Sequence, residues 1–296
     1  MLDSGQLATL QSVVDEGSFE GAARALHITP SAVSQRIKAL EQAAGQVLVR
    51  RTKPCQPTEA GRPLVRLAGQ LALLEREALD AARGPLAGRQ PRTRIAVVVN
   101  ADSLATWFLR ALAQLPTDLA YCFDLHQDDQ DHTADLLRDG TVMAAVTAQR
   151  VAVQGCRVHR LGAMRYLAMA SPELHRAHFA GTDTVSALAT APMVRLDRKD
   201  ELQHRFAGGL TRRRLDPPTH YVPAVSAFIE AIRLGLGWAM VPERIAREDM
   251  ATGRLVDISP GRHLDVPLYW QSWRLESTAL TILTGAVRAA AAEALR

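Results

Sequence analysis

The sequence predicts an α/β protein overall: an all-α winged helix-turn-helix at the N-terminus, one long helix, and a C-terminal α/β region. Three observations carry this. Short helical patterns with tight turns fill residues 1–61. A leucine stripe at steps of three and four then runs through residues 62–83. From residue 93 onward, short apolar runs alternate with helical patterns, the texture of a largely parallel sheet covered by helices.

In the first part, residues 19–26 are rich in alanine, as close helix–helix packing demands, and His27-Ile28 makes a short turn. Thr29 is placed to cap the next helix through its hydroxyl. Pro30 takes the first helical position, where a missing N–H costs nothing. Val33, Ile37 and Leu40, spaced i, i+4 and i+7, form one buried face. Ser31, Ser34, Gln35 and Lys38 lie opposite, with Arg36 at the flank. Such donors and acceptors read base edges and hold phosphates in a DNA major groove. Residues 47–58 then give a short apolar strand, a basic tip and two prolines, with Thr58 as a cap for the long helix. This reads as a wing with Arg50, Arg51 and Lys53 on the phosphate backbone, a solvated basic loop being the alternative.

The long helix carries Leu64, Leu67, Leu71, Leu74 and Ala78 on one seam, with Arg66, Glu75, Arg76, Glu77 and Asp80 largely off it. A single apolar seam flanked by charge suits pairing with a second copy of the chain, beyond packing on its own domain. Arg83-Gly84-Pro85 ends the pattern, and 84–92 reads as a hinge.

The bulk numbers agree with a regulator in the cytoplasm. Length 296 leaves room for two domains, one divisible into lobes. A hydrophobic share of 47% against 22% charged residues is that of a soluble chain with sizeable cores. The net charge of +4 permits an anionic partner without requiring one, and GC-rich base composition would equally enrich arginine. Cys55, Cys122 and Cys156 lie far apart, which argues against a disulfide framework and a zinc site. The first residues have neither the basic start nor the apolar run of a signal peptide, and the longest apolar runs are strand-sized.

In the third part, strand patterns cover 94–99, 121–125, 142–147 and 166–170. Ligands of doubly wound sheets bind beyond the carboxyl ends of the strands. Asp102, Ser103 and Thr106 follow the first strand, where a helix begins that suits a carboxylate ligand; an ordinary cap by Asp102 or Ser103 is the alternative. The second strand runs into Asp128, Asp129 and Asp131. Three readings compete for these acids: a metal site, a solvated capping loop, or an electronegative wall drawing a cationic ligand group. The metal reading is weakest, because a calcium loop's glycine and closing glutamate are missing and H-E-x-x-H is absent. Thr147 ends the third strand towards the same crevice. A carboxylate site beside an acidic wall fits an amino acid with a basic side chain. No metal and no cofactor is expected: phosphate loop, dinucleotide fingerprint and G-x-S-x-G elbow are all missing, which leaves a small-molecule-binding enzyme as the rival class. A solute-binding protein would need an export signal and would leave the first 60 residues without a purpose.

Residues 29–41, with their T-x-S-A-V-S-x-x-I-K-x-L-E pattern, and Thr58-Glu59-Ala60-Gly61 resemble the LysR-type transcriptional regulators over the full length of the chain. One departure is Val49, where that family usually has an aromatic or larger apolar residue nearby. The resemblance implies a winged helix-turn-helix over 1–61, a linker and dimerisation helix with hinge over 62–92, and a two-lobed, periplasmic-binding-protein-like effector domain over 93–296. Lobe I would take 93–163 and 267–296, and lobe II 164–266. It implies dimers or tetramers on operator DNA, with RNA polymerase as a further partner. Asn100 to Trp107, Leu161 to Tyr166, Arg198-Lys199-Asp200, Gly235 to Glu243 and Pro267-Leu268-Tyr269-Trp270 resemble the ArgP/LysG subgroup. That likeness implies lysine or arginine as effector and control of amino-acid export; a different small anionic or zwitterionic effector is the alternative. Arg165, Asp197 and Ser226 are the candidate effector contacts from lobe II, each with a structural alternative, which for Arg165 is an inter-lobe ion pair.

Overall fold

The computed structural model describes residues 2–83, 93–116, 121–127 and 130–296, so the hinge expected over 84–92 lies outside them. Helices α1 (Ser4–Asp15), α2 (Phe19–Ala25) and α3 (Pro30–Ala44) precede a ribbon of β1 (Val49–Arg50) and β2 (Gln56–Pro57), then the long α4 (Arg62–Arg83). Next come β3 (Thr93–Val99), α5 (Ala101–Ser103), a π-turn over Leu104–Phe108 and α6 (Leu109–Ala113). They are followed by β4 (Tyr121–Gln127), α7 (Gln130–Asp139) and β5 (Ala144–Thr147). The long β6 (Cys156–Ala170) leads to α8 (Pro172–His178), α9 (Thr184–Thr190), β7 (Met193–Arg195), α10 (Leu202–Gly208) and β8 (Thr219–Tyr221). The chain closes with α11 (Val225–Arg233), β9 (Ala239–Pro242), α12 (Glu243–Ala251), β10 (Val256–Asp257), β11 (Leu264–Trp273) and α13 (Thr278–Ala294).

These elements form two compact units. The first takes Met1–Asn100, Ala111–His159 and Tyr269–Val287; the second takes Ala101–Arg110, Arg160–Leu268 and Arg288–Arg296. The chain passes between the units near 160 and 268, where the sequence reading sets lobe limits at 163/164 and 266/267. Segments 101–110 and 288–296, however, join the second unit rather than the first.

In the first unit, α1, α2 and α3 close on Leu7, Leu10, Val13, Ala22, Val33, Ile37 and Leu40, and Val65 and Ala68 of α4 extend the same core. Each fully buried leucine or isoleucine there contributes about 2 kcal/mol. Strand β3 pairs in parallel with β4 and β5, while β11 runs antiparallel to β5 with Tyr269 opposite Thr147. Two charged side chains tie α4 to this sheet region. The Arg66 guanidinium donates to the carbonyls of Gln154 (2.6 Å) and Gly155 (2.7 Å). The Glu77 carboxylate accepts from Ser277 Oγ (2.7 Å) and the backbone N–H groups of Thr278 and Ala279, capping α13.

In the second unit, β6 pairs antiparallel with β9 and β10, and β7 pairs in parallel with β8. Its core gathers Met169, Val194, Phe228, Ile229, Ile232, Val241, Ala246 and Leu255. The pairings across both units are therefore mixed, which corrects the largely parallel sheet read from sequence. The reason is β6 and β11: neither is followed directly by a crossover helix into a parallel neighbour, so both run antiparallel to their partners. Among the described residues, no helix is long and apolar enough to cross a membrane.

Candidate nucleic-acid interface and effector site

The helix-turn-helix is built by local chemistry. Ser18 caps α2 by accepting from Gly21 N (3.0 Å), and Thr29 caps α3 by accepting from Ala32 N (3.2 Å), with Pro30 in the first turn. The turn between them passes through His27 at φ +53°. Gly45, at φ +66°, ends α3 in the left-handed region that favours glycine. Val33, Ile37 and Leu40 are buried, which turns Ser31, Gln35 and Lys38 out to solvent and leaves Ser34 partly exposed. Ser31 Oγ lies 2.9 Å from Thr29 Oγ1. Arg36 is exposed and reaches back to Thr9 Oγ1 at 3.5 Å, so it leans over α1 at the flank of the polar face.

The wing follows as β1 and β2, with Val49 opposite Pro57 and Arg50 opposite Gln56. Arg50, Arg51 and Lys53 are exposed along it. The Arg51 guanidinium rests over the Phe19 ring, 4.7 Å from its centre, which orients the cation without neutralising it. Thr58 Oγ1 donates to Val47 O (2.6 Å) and accepts from Gly61 N (3.0 Å), so it fastens the wing while capping the turn that enters α4. Any Cβ at Gly61 would collide with the Leu48 carbonyl oxygen, so glycine is required there.

In the second unit, residues that start the irregular helix after β3 make a polar cluster. The Tyr166 hydroxyl, from β6, donates to Asp102 Oδ2 at 2.6 Å. Burial raises the Asp102 carboxyl to about 6; the Tyr166 hydrogen bond acts to lower it and the Asp200 carboxylate to raise it. Burial, and then the Asp102 charge, push the Tyr166 hydroxyl well above its ordinary value. Beside them Ser103 Oγ is fully buried and has no hydrogen-bond partner. Thr106 Oγ1 is already engaged, donating to Asp102 O at 2.5 Å inside the helix. The π-turn that follows is a local departure of the kind often found at binding sites.

The remaining candidates make other contacts. Thr106 and Arg165 line a cavity of about 380 Å³ with Glu243, Arg247 and Arg296, and Arg165 forms a two-bonded ion pair with Asp265 (both 2.9 Å) inside this unit, not between lobes. Asp197 Oδ1 accepts from the amides of Lys199 (2.6 Å) and Asp200 (2.9 Å), shaping a turn. Ser226 lies exposed within the first turn of α11. Thr147, in the first unit, is buried, and its hydroxyl accepts from Gln149 N at 3.1 Å. Asp128 and Asp129 lie outside the described residues, as does the side chain of Asp131.

Two family models match this architecture: the bacterial regulatory helix-turn-helix protein of the lysR family over residues 4–62, and the LysR substrate binding domain over residues 86–292. The chain belongs to the LysR family. Among LysR-family relatives it is 51% identical to the HTH-type transcriptional regulator LysG of Mycobacterium tuberculosis, over 98% of this chain and 94% of the relative. The crystal structure of ArgP from Mycobacterium tuberculosis superposes with a TM-score of 0.89 at 50% identity, covering 100% of this chain and 99% of that one. Full-length LysG from Corynebacterium glutamicum with bound effector Arg gives 0.80 at 42% identity, covering 100% of both.

In this LysR-family chain, two residues of the cluster escaped the sequence reading. The sequence presents Tyr166 as a strand residue within a motif and Asp200 as part of another motif, neither as a site residue. A tyrosine in a strand otherwise made of small and apolar residues (Leu167 to Ala170), its hydroxyl needing a partner once buried, was the available signal. For Asp200 there was none, because its proximity to Asp102 arises from folding across about a hundred residues.

Proposed function

We propose that this chain is a DNA-binding transcriptional regulator that senses a basic amino acid, lysine or arginine, and controls genes such as that of an amino-acid exporter. The observation that carries the effector reading is the Asp102–Tyr166–Ser103 cluster. It holds a carboxyl kept near pH 6 by burial and a second carboxylate nearby, and these favour an incoming ammonium or guanidinium group. The unpartnered Ser103 hydroxyl is available to donate to the ligand's carboxylate. The arginine bound by the corynebacterial LysG, which is 42% identical over its whole length, supports the same ligand class.

On DNA, Ser31, Ser34, Gln35 and Lys38 read the major groove, and Arg50, Arg51 and Lys53 follow the backbone. Leu67 and Leu74, exposed on α4, meet a second copy, so that two recognition helices engage successive grooves. Effector binding changes the arrangement of the DNA-bound copies, and thereby recruitment of RNA polymerase, by no more than its differential affinity for the two arrangements.

Calorimetric titration of the full chain with L-lysine, L-arginine, citrulline and norleucine tests the sensor. Heat from the basic pair alone supports it. Equal heats from all four, or none from any, would remove the basic-amino-acid reading and leave the family assignment intact.

A further inference from the structure

Several arginines of the second unit are held by ion pairs. Arg165, Arg176, Arg233, Arg247, Arg254 and Arg296 each close on a carboxylate within 3.1 Å. Arg198, Arg212, Arg213 and Arg214 do not: among the described residues none of these four has a carboxylate partner, and all four line one cavity of about 430 Å³. What sets these four apart is that they gather around one concavity.

The cavity is built around a fifth arginine. Arg195 is buried, and its guanidinium donates to the carbonyls of Asp200 (2.7 Å) and Arg198 (3.0 Å), to Glu201 Oε1 (3.0 Å) and to His204 Nε2 (3.2 Å). A guanidinium has no acceptor, so His204 Nε2 is the accepting atom of that pair. This hub fixes the loop that carries Arg198, whose own guanidinium stacks on the Tyr221 ring at 4.9 Å. Arg212, Arg213 and Arg214 are exposed on the facing segment. Ala207, Gly208 and Thr211 are the small side chains of the lining. Glu201 is the single carboxylate of the lining, against five guanidinium groups.

We propose that this cavity is a binding site for a small oligophosphate, free or as the phosphate chain of a nucleotide, separate from the effector site. Planar guanidinium groups bind phosphate oxygens in pairs of parallel hydrogen bonds, and several converging on one concavity match a chain of phosphates better than a single carboxylate. A cationic effector is repelled by the same field. The concave form favours a small anion over a DNA duplex, which is far too wide to enter a cavity of this size and would touch only its rim.

The test is calorimetric titration of the full-length protein, at physiological ionic strength, with sodium triphosphate, ATP and adenosine. Triphosphate and ATP bind and adenosine does not; equal binding of the two marks a phosphate-only site, and tighter binding of ATP a nucleotide site. Replacing Arg212→Ala, Arg213→Ala and Arg214→Ala together weakens binding by about a hundredfold or more, since several charge-assisted hydrogen bonds are lost. Arg213→Gln alone, a single exposed change, produces a smaller loss in the same direction. Arg51→Ala, in the wing, leaves triphosphate binding unchanged. Absence of triphosphate binding to the wild-type protein overturns the proposal, as does equal binding by the triple variant. Loss of DNA affinity in the triple variant without triphosphate binding by the wild type overturns it too, in favour of a nucleic-acid surface.

Discussion

The Tyr166 hydroxyl and the Asp102 carboxylate share a 2.6 Å hydrogen bond within the second unit, and burial pushes that carboxyl up to about 6. Burial raises the free carboxyl, whereas a bound cation favours its ionised form. Ligand cation and proton therefore compete. Affinity for L-lysine or L-arginine is expected to be flat above neutrality and to fall below pH 6 by up to about tenfold per pH unit. Proton release at pH 6, read from the dependence of binding heat on buffer ionisation, checks it. A profile flat down to pH 5 would remove Asp102 from the ligand site.

Substitution separates the two partners. Asp102→Asn keeps the shape but removes the charge; binding should weaken roughly ten- to a hundredfold, the worth of a charge-assisted hydrogen bond, and lose its pH dependence. Tyr166→Phe removes the donor that holds the carboxyl down, so the midpoint of the pH profile should move above 6. Titrations of both variants across pH decide this. A Tyr166→Phe midpoint below the wild-type value would mean the hydrogen bond favours the protonated acid.

How much of this was written in the sequence follows from how local each feature is. The Thr29 cap, Pro30 and the Val33–Ile37–Leu40 face lie within a dozen residues, and α4 occupies the span its leucine spacing predicts. Strand β6 was read only over its last five residues. Arg157, His159, Arg160 and Arg165 interrupt the apolar pattern along its earlier part, and its partners β9 and β10 lie roughly seventy to a hundred residues on. Asp197 was read as a cleft residue because spacing cannot reveal that its oxygen is taken by two amides of its own turn. Asp102 was legible as a helix-start residue, but its partner Tyr166 lies 64 positions away.

Base reading and backbone clamping separate by salt. Gln35 is exposed on α3, and Gln35→Ala should cost about 1–3 kcal/mol of discrimination at one operator position while leaving binding to unrelated DNA nearly unchanged. Arg51, oriented over Phe19, is a phosphate contact: Arg51→Ala should weaken binding to every sequence and reduce the salt slope by about 1. Electrophoretic or fluorescence binding at several salt concentrations distinguishes them. Sequence-blind losses from both would contradict the division of roles.

The seam of α4 is split by burial. Leu64 and Leu71 pack onto the N-terminal core, whereas Leu67 and Leu74 remain 39% and 37% exposed. Leu74→Glu is therefore expected to leave the fold intact and to shift the protein from dimer to monomer in sedimentation. Operator affinity falls with it, since half-sites are no longer engaged together. Effector binding, which uses the second unit, stays unchanged. A dimer that survives both Leu67→Glu and Leu74→Glu would place the pairing face elsewhere.

Glu77 joins α4 to the start of α13 across two hundred positions of sequence. Its carboxylate accepts from Ser277 Oγ and from the N–H groups of Thr278 and Ala279, while Ser277 Oγ accepts from Leu280 N at 3.2 Å. The first N–H groups of a helix have no partner within it, and a negative charge there meets the positive end of the helix dipole. Glu77→Ala leaves those donors to water and should cost about 1–2 kcal/mol. Glu77→Gln keeps an acceptor oxygen and forfeits only the charge, about 0.3–1 kcal/mol. Denaturant unfolding should rank wild type above Glu77→Gln, and Glu77→Gln above Glu77→Ala. If Glu77→Ala matched the wild type, solvent would cap α13 equally well and the linker helix would be held by Arg66 and its apolar face alone.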